Sequence, residues 1–268
     1  MRFKQIFLPR LLFIALCITL ISVFIANAET TLLPYVVVFE REDENNVYVY
    51  IDEEVLALRQ YLRENHSIII YIDPGHGGVD SGTDIASPFY EKYINFSVAL
   101  MLYEMFLESD TGIFPILSRQ GDYDISRFDR AAIGSALADV IVSIHANSFR
   151  DSAVRGVETY YDVRQELSPH VRFDITSHDL ALAVHYNVIS ATGAHSRGAR
   201  DTNRWREVGF VITSGSTVPA ILLEMGYLSN QDERALLVTE NYQRLMALGI
   251  YNGIIELFTP FLSQSQQD

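Results

Sequence analysis

The 268-residue chain holds a single cysteine, Cys17, and a single tryptophan. One thiol excludes an intrachain disulfide framework and any Cys-rich zinc cluster, so a metal here must rely on histidine and carboxylate. Basic residues are also scarce, with 20 Lys+Arg against 34 Asp+Glu and a formal net charge of -14. That balance excludes a broad phosphate-neutralising surface, and nucleic acid is not an expected partner. No internal repeat is found. What remains is 49% hydrophobic and 20% charged, a globular composition that rules out disorder along the whole length.

The first 28 residues read as a secretory signal peptide. Arg2, Lys4 and Arg10 carry its positive start, residues 11–25 are nearly all apolar, and Ala26-Asn27-Ala28 has the small-residue spacing of a cleavage site. The apolar run falls short of the ~20 residues that span a bilayer as a helix, so cleavage after Ala28 is expected rather than anchoring. Cys17 lies mid-run behind Leu16, a place in the signal core and not a lipidation site. The expected location is exported: periplasmic, or cell envelope and extracellular.

Beyond the signal, strand and helix patterns alternate. Residues 35–39 and 47–51 are β-rich runs, and the acidic stretch 41–46 between them reads as the solvated turn of a hairpin. A helix over 52–65 completes a small N-terminal extension, 29–66, that shows no chemistry. Residues 68–72 form a continuous apolar run stopped by Asp73-Pro74-Gly75, the mark of a strand buried on both faces and hence of a parallel sheet. Helices follow over 94–107, 125–138, 179–191 and 242–258, and strands over 113–117, 140–144, 156–161, 208–212 and 219–223. Residues 162–177 read as a surface loop and 259–268 as a polar tail. The alternation predicts one α/β domain over 67–258, with a mostly parallel open sheet flanked by helices on both faces.

Ligands of open α/β sheets bind beyond the carboxyl ends of the strands, so polar residues directly after apolar runs stand out. Three strands supply His76 in Asp73-Pro74-Gly75-His76-Gly77-Gly78, His145 in His145-Ala146-Asn147, and Glu224 in Glu224-Met225-Gly226. Glu91 opens the helix after the glycine-rich loop. Two histidines and one glutamate with a position left open make a catalytic zinc set. Bland readings stand beside these. Either histidine alone is an ordinary loop residue, Glu91 suits a helix N-terminus through the macrodipole, and Glu224 has Arg197 or Arg200 as a possible ion partner. The glycines lack the lysine of a phosphate loop. His66, His170, His178, His185 and His195 read as surface residues.

The run Asp73 to Gly78, then Glu91-Lys92, then Ser143-Ile144-His145-Ala146-Asn147, then Pro219 through Asn230 resembles the zinc-dependent N-acetylmuramoyl-L-alanine amidases of the amidase 3 family. The resemblance covers residues 67–258, with Met225 and Tyr227 as small departures that alter packing and not chemistry. It implies that His76, Glu91 and His145 bind zinc and that Glu224 is the catalytic carboxylate. It also implies peptidoglycan as substrate, cleaved at the amide between N-acetylmuramic acid and the L-alanine of the stem peptide. Asp73 and Asn147 become candidates for orienting the imidazoles, and Arg197 for supporting the site or binding substrate. A monomer is expected, with an envelope activator protein as a possible partner. Two other classes compete: an inactive relative that binds wall peptides, and a zinc peptidase or deacetylase acting on the same polymer.

Overall fold

A computed structural model describes residues 40–42, 47–49, 53–66, 68–83, 90–169, 171–204 and 209–262. The expected signal segment and the run 35–39 lie outside the described residues. From Glu40 onward the chain forms one compact unit. Strands β1 (Glu40–Glu42) and β2 (Val47–Val49) pair antiparallel, so a hairpin is present, but its first strand falls in the acidic stretch expected to be the turn. The ladder is a main-chain interaction, and the β-favouring Val47 to Val49 suffices to recruit a polar partner. Helix α1 (Glu53–Asn65) follows, with Leu62 buried.

Six strands make the main sheet: β3 (Ile68–Pro74), β4 (Ile113–Leu117), β5 (Val140–Asn147), β6 (Val157–Tyr161), β7 (Ser196–Asp201) and β8 (Ala220–Tyr227). Their order is β4-β3-β5-β8-β6-β7. Four neighbouring pairs are parallel, and β6 alone runs against its neighbour β8 while staying parallel to β7. That reversal brings the amino ends of β6 and β7 to the edge where β3, β5 and β8 end.

Side chains alternate across the pleat. In β3, Ile68, Ile70 and Ile72 join the large core cluster with Val98 and Leu102 of α2 (Glu91–Glu108), Val184 and Val188 of α4 (Ser177–Thr192), and Met246 and Ile250 of α7 (Glu240–Leu262). Ile69 and Tyr71 are buried outside that cluster, beneath α3 (Arg127–Leu137), where a Cβ on Gly134 would lie within 2.8 Å of Tyr71 and Ile141. Helices thus cover both faces, as the pattern predicts. Helix α7 is long and apolar enough to cross a bilayer by length and composition, yet Met246, Ile250, Ile254 and Phe258 are fully buried in the core. It docks on α4 at close range, since a Cβ on Gly249 would meet Val188 Cα at 2.5 Å.

Several elements depart from expectation. The strand expected over 208–212 is not formed at its described residues, 209–212; α5 (Val211–Ser214) is a helical turn in which the Phe210 carbonyl accepts from the amides and hydroxyls of Thr213 and Ser214. Local hydroxyl bonding outcompetes the ladder there. Strand β7 carries no apolar alternation and exists because β6 offers it a free edge. Helix α6 (Gln231–Leu237) starts at Asn230, whose side chain accepts from the amides of Asp232 and Glu233. Helix α7 runs to Leu262, so the first residues of the expected tail are helical.

Candidate active site

Chain order sends β3 to β4 on one side and then back across to β5, which opens a crevice between β3 and β5 at their carboxyl ends. The exit from β3 is built by main chain. The Gly75 amide donates to the Ile144 carbonyl at 3.0 Å, and His76 (φ 62°), Gly77 (φ 143°) and Gly78 (φ 57°) turn the chain sharply back. A histidine in the left-handed region is uncommon and is sustained here by its surroundings. Buried Arg130 donates to the carbonyls of Pro74 at 2.9 Å and His76 at 2.8 Å. Buried Arg119 donates to Pro74 at 3.1 Å and to Lys92 at 2.8 Å, tying the strand exit to the start of α2.

Three expected ligands converge. Nε2 of His76 lies 3.1 Å and Nδ1 of His145 3.0 Å from the same oxygen, Oε1 of Glu91, and one donor atom from each residue lies within 4.8 Å of the others. Glu91 is no ordinary helix-start acid: it is 3% exposed, and it also accepts from the amides of Ala146 (3.1 Å) and Thr83 (2.9 Å) and from Asn95 (3.2 Å). Two glycines make room for this cluster. A Cβ at Gly75 would sit 2.1 Å from the His145 ring, and one at Gly82 would sit 2.5 Å from the Glu91 carboxylate. Two imidazoles and one carboxylate so placed fit a divalent metal ion.

Burial opposes a charged His76, but the hydrogen bonds and charges of Glu91 and Asp80 outweigh it and raise the ring to about 9. Burial likewise disfavours the Glu91 anion, and the two imidazoles overcome it, holding the carboxyl far below its usual range. The cluster attracts positive charge, which is the electrostatic condition for holding a cation.

Glu224 is buried within β8, not beyond its end, and stands in register with His145 of β5 on one side and Glu158 of β6 on the other. His145 is likewise inside its strand. Directly after Glu224 the β5–β8 register shifts, with Gly226 at φ 146°. Such bulges re-aim side chains beside active sites.

Other expected residues have different partners. Among the described residues Asp73 hydrogen-bonds no imidazole. Its carboxylate accepts from Ser118 and Arg130 on one oxygen and Ser143 on the other, all at 2.7 Å. The carboxylate on His76 Nδ1 is Asp80, at 2.7 Å. Among the described residues Asn147 likewise hydrogen-bonds no imidazole, reaching Glu158 at 3.4 Å. Arg197 donates through Nε to Glu158 at 2.8 Å, and Arg200 donates to the same oxygen. The other Glu158 oxygen accepts from Tyr227 (2.7 Å) and Tyr160 (2.9 Å), so a 1%-exposed anion organises this side of the site. His185 is fully buried, against the surface reading, and bonds Thr159 and Ser196. Glu158 and Asp80 gave little sequence signal beyond being acidic residues in, respectively, a β-rich run and a glycine loop.

An α/β sheet that carries a His-Glu-His cluster with a buried carboxylate one strand away has the outline of a hydrolytic enzyme. The family model for N-acetylmuramoyl-L-alanine amidase matches residues 70–256, and the chain belongs to that family of peptidoglycan hydrolases. It is 35% identical to the catalytic domain of the CwlV amidase from Bacillus (Paenibacillus) polymyxa var. colistinus, with a TM-score of 0.62, covering 72% of this chain and 98% of that one. Over 192 residues it is 31% identical to the LytC amidase of Bacillus subtilis, covering 70% of this chain and 35% of LytC. The CwlD amidase of Clostridioides difficile, solved in complex with the GerS lipoprotein, is 26% identical at a TM-score of 0.57, covering 72% and 99%. The chain is accordingly an N-acetylmuramoyl-L-alanine amidase, cleaving the amide between N-acetylmuramic acid and L-alanine.

Proposed function

We propose that this amidase works with zinc held by His76, Glu91 and His145 and with Glu224 as its general base and acid. The observation that carries the reading is the placing of Glu224 beside His145, one strand spacing of ~4.8 Å away, on a rim where three ligand atoms already converge. Zinc, when bound, supplies Lewis acidity at the scissile carbonyl and lowers the cost of deprotonating water. Glu224 takes the proton from the attacking water and returns it to the alanine nitrogen, which leaves as an amine only once protonated. Asp80 fixes the His76 ring through Nδ1, leaving Nε2 toward the ligand cluster. Glu91 stays ionised because four N–H or imidazole partners surround one oxygen.

The same proposal extends to the cell. Residues 1–28 act as a signal peptide, 29–66 as an extension of the catalytic part 67–258, and the enzyme meets peptidoglycan outside the cytoplasm as a monomer. The GerS complex of the CwlD relative supports including an envelope activator.

Purified peptidoglycan digested with the enzyme should yield new alanine amino groups. A different peptide amine or a deacetylated sugar as the only product would replace the amidase chemistry with a peptidase or deacetylase. His76→Ala and His145→Ala should lose most of one zinc per chain. Glu224→Gln should keep the zinc and lose ~10²–10⁴ in rate. A zinc-free Glu224→Gln protein, or one turning over at the parent rate, overturns the division of roles.

A further inference from the structure

Arg197 has a partly spent guanidinium. Its Nε donates to Glu158, and its carbon lies 5.4 Å from the centre of the Tyr227 ring. Among the described residues the bond from Nε is its one hydrogen bond, so Nη1 and Nη2 make none there. The side chain is 31% exposed while its anchor Glu158 is 1% exposed. A Cβ on Gly156 would lie 2.8 Å from Arg197 Cγ, so the glycine gives the arginine stem its bed. The result is a flat cation held at one edge by a buried carboxylate and steadied by an aromatic face, with its two-pronged edge uncommitted. That edge matches a carboxylate, which a guanidinium binds through two parallel bonds.

Placement narrows the choice of anion. Arg197 is the second residue of β7, beside the amino end of β6, and the Glu158 that holds it stands opposite Glu224 across the β6–β8 pair. Glu158 is two strand spacings from His145, ~10 Å, so Arg197 beside it faces only the first two or three residues of an extended peptide. On the sugar side of the scissile amide the lactyl carboxyl is consumed in the bond and the acetamido group is neutral. Negative charge within reach is therefore on the leaving peptide. A chain of net charge -14 repels anions at large, so a carboxylate must be gathered by a local cation.

Resting on the amidase reading above, we propose that Arg197 is a specificity residue that binds a free carboxylate on the leaving peptide, on the residue following the alanine. Glu158 is the positioning residue that presents it. A substrate with that carboxylate is preferred over the same substrate with a carboxamide.

The test uses the full chain loaded with zinc and two muramoyl-L-alanyl peptides that differ only in carboxylate or carboxamide at the second residue. The parent enzyme should favour the carboxylate by about 10–100-fold in kcat/KM, chiefly through KM. Arg197→Gln should bring that ratio near one, and Arg197→Lys, which keeps the charge and loses the fork, should fall between. Calorimetric titration of the released peptides, carboxylate against carboxamide, should show the same preference in the parent protein without turnover. A ratio unchanged in Arg197→Gln overturns the proposal, as does an equal loss on both substrates, which would make Arg197 a brace. Parent binding that does not discriminate the two peptides overturns it whether or not the variants fold. Failure to cleave either substrate, with discriminating peptide binding intact, would sink the catalytic reading and leave this one standing.

Discussion

The two sides of the catalytic rim are made differently. On the β3–β5 side, His76, Glu91 and His145 are seated by main chain: amides of Ala146 and Thr83 hold the glutamate, and absent Cβ atoms at Gly75 and Gly82 leave space for the ring and carboxylate. On the β6–β7 side, side chains hold side chains, with Glu158 joined to two arginines and two tyrosines. Backbone seating fixes geometry to fractions of an ångström, which ligation demands. A side-chain network tolerates adjustment, which suits the grip on a varied substrate.

If the sides are separable, damage to one should spare the other. The largest stability effect is expected from Glu158→Gln, which leaves two guanidiniums over a neutral amide. Breaking a buried ion pair typically costs about 3–5 kcal/mol, measurable by urea unfolding, while zinc content should stay at the parent level. Joint loss of zinc would show one cooperative site instead of two. The pH dependence sharpens the point. Burial raises the Glu158 carboxyl, but the bond from Arg197, followed by those from the two tyrosines, overcomes it and holds the group below its usual range. A depressed folded-state value stabilises above the unfolded value of about 4.3 and loses that contribution as pH falls through the folded one. The stability gap between parent and Glu158→Gln should therefore narrow as the pH drops below about 4.

On the other side, Gly75→Ala puts a methyl group onto the His145 ring. Displacement of about 1 Å at a reacting centre costs on the order of 10²-fold, so the rate should fall by at least that much with zinc loss, read by metal analysis and amide cleavage. Asp80→Asn should be milder, weakening zinc about 10–100-fold in a chelator competition without altering peptide preference. Smallest is a control remote from both sides: Thr176→Ala removes the capping box of α4 and should cost about 1 kcal/mol of unfolding free energy with unchanged turnover.

The contrast also explains what was legible in the sequence. The Ile68 to Ile72 run, the glycine loop behind it and the strand-end histidines announce a buried parallel sheet with chemistry at its rim, because those features are local. The Asp73 carboxylate could not be placed from its neighbours, since its ion partner Arg130 sits 57 residues away. Glu158 occupies an unremarkable polar position in a five-residue strand, and its importance arises when the antiparallel turn of β6 brings it beside Glu224. Strand β7 has a sequence, Ser-Arg-Gly-Ala-Arg-Asp, that no propensity assigns to a sheet. Its strand character is imposed by β6, and with it the placement of Arg197.

Helix α7 has a bearing on when activity can arise during synthesis. Until residues 240–262 exist, Val98, Leu102 and Phe106 of α2 and Leu180, Val184 and Val188 of α4 lack their cover. The central strand is late as well, since β8 must slot between β5 and β6 after both have been made. Non-local pairing of this kind delays folding until its last partner is present. A chain interrupted before β8 has the proposed ligand histidines but no Glu224, no support for β6 on that side and an open apolar face. Completion of the rim therefore depends on segments that are made after His76, Glu91 and His145, Glu224 of β8 among them.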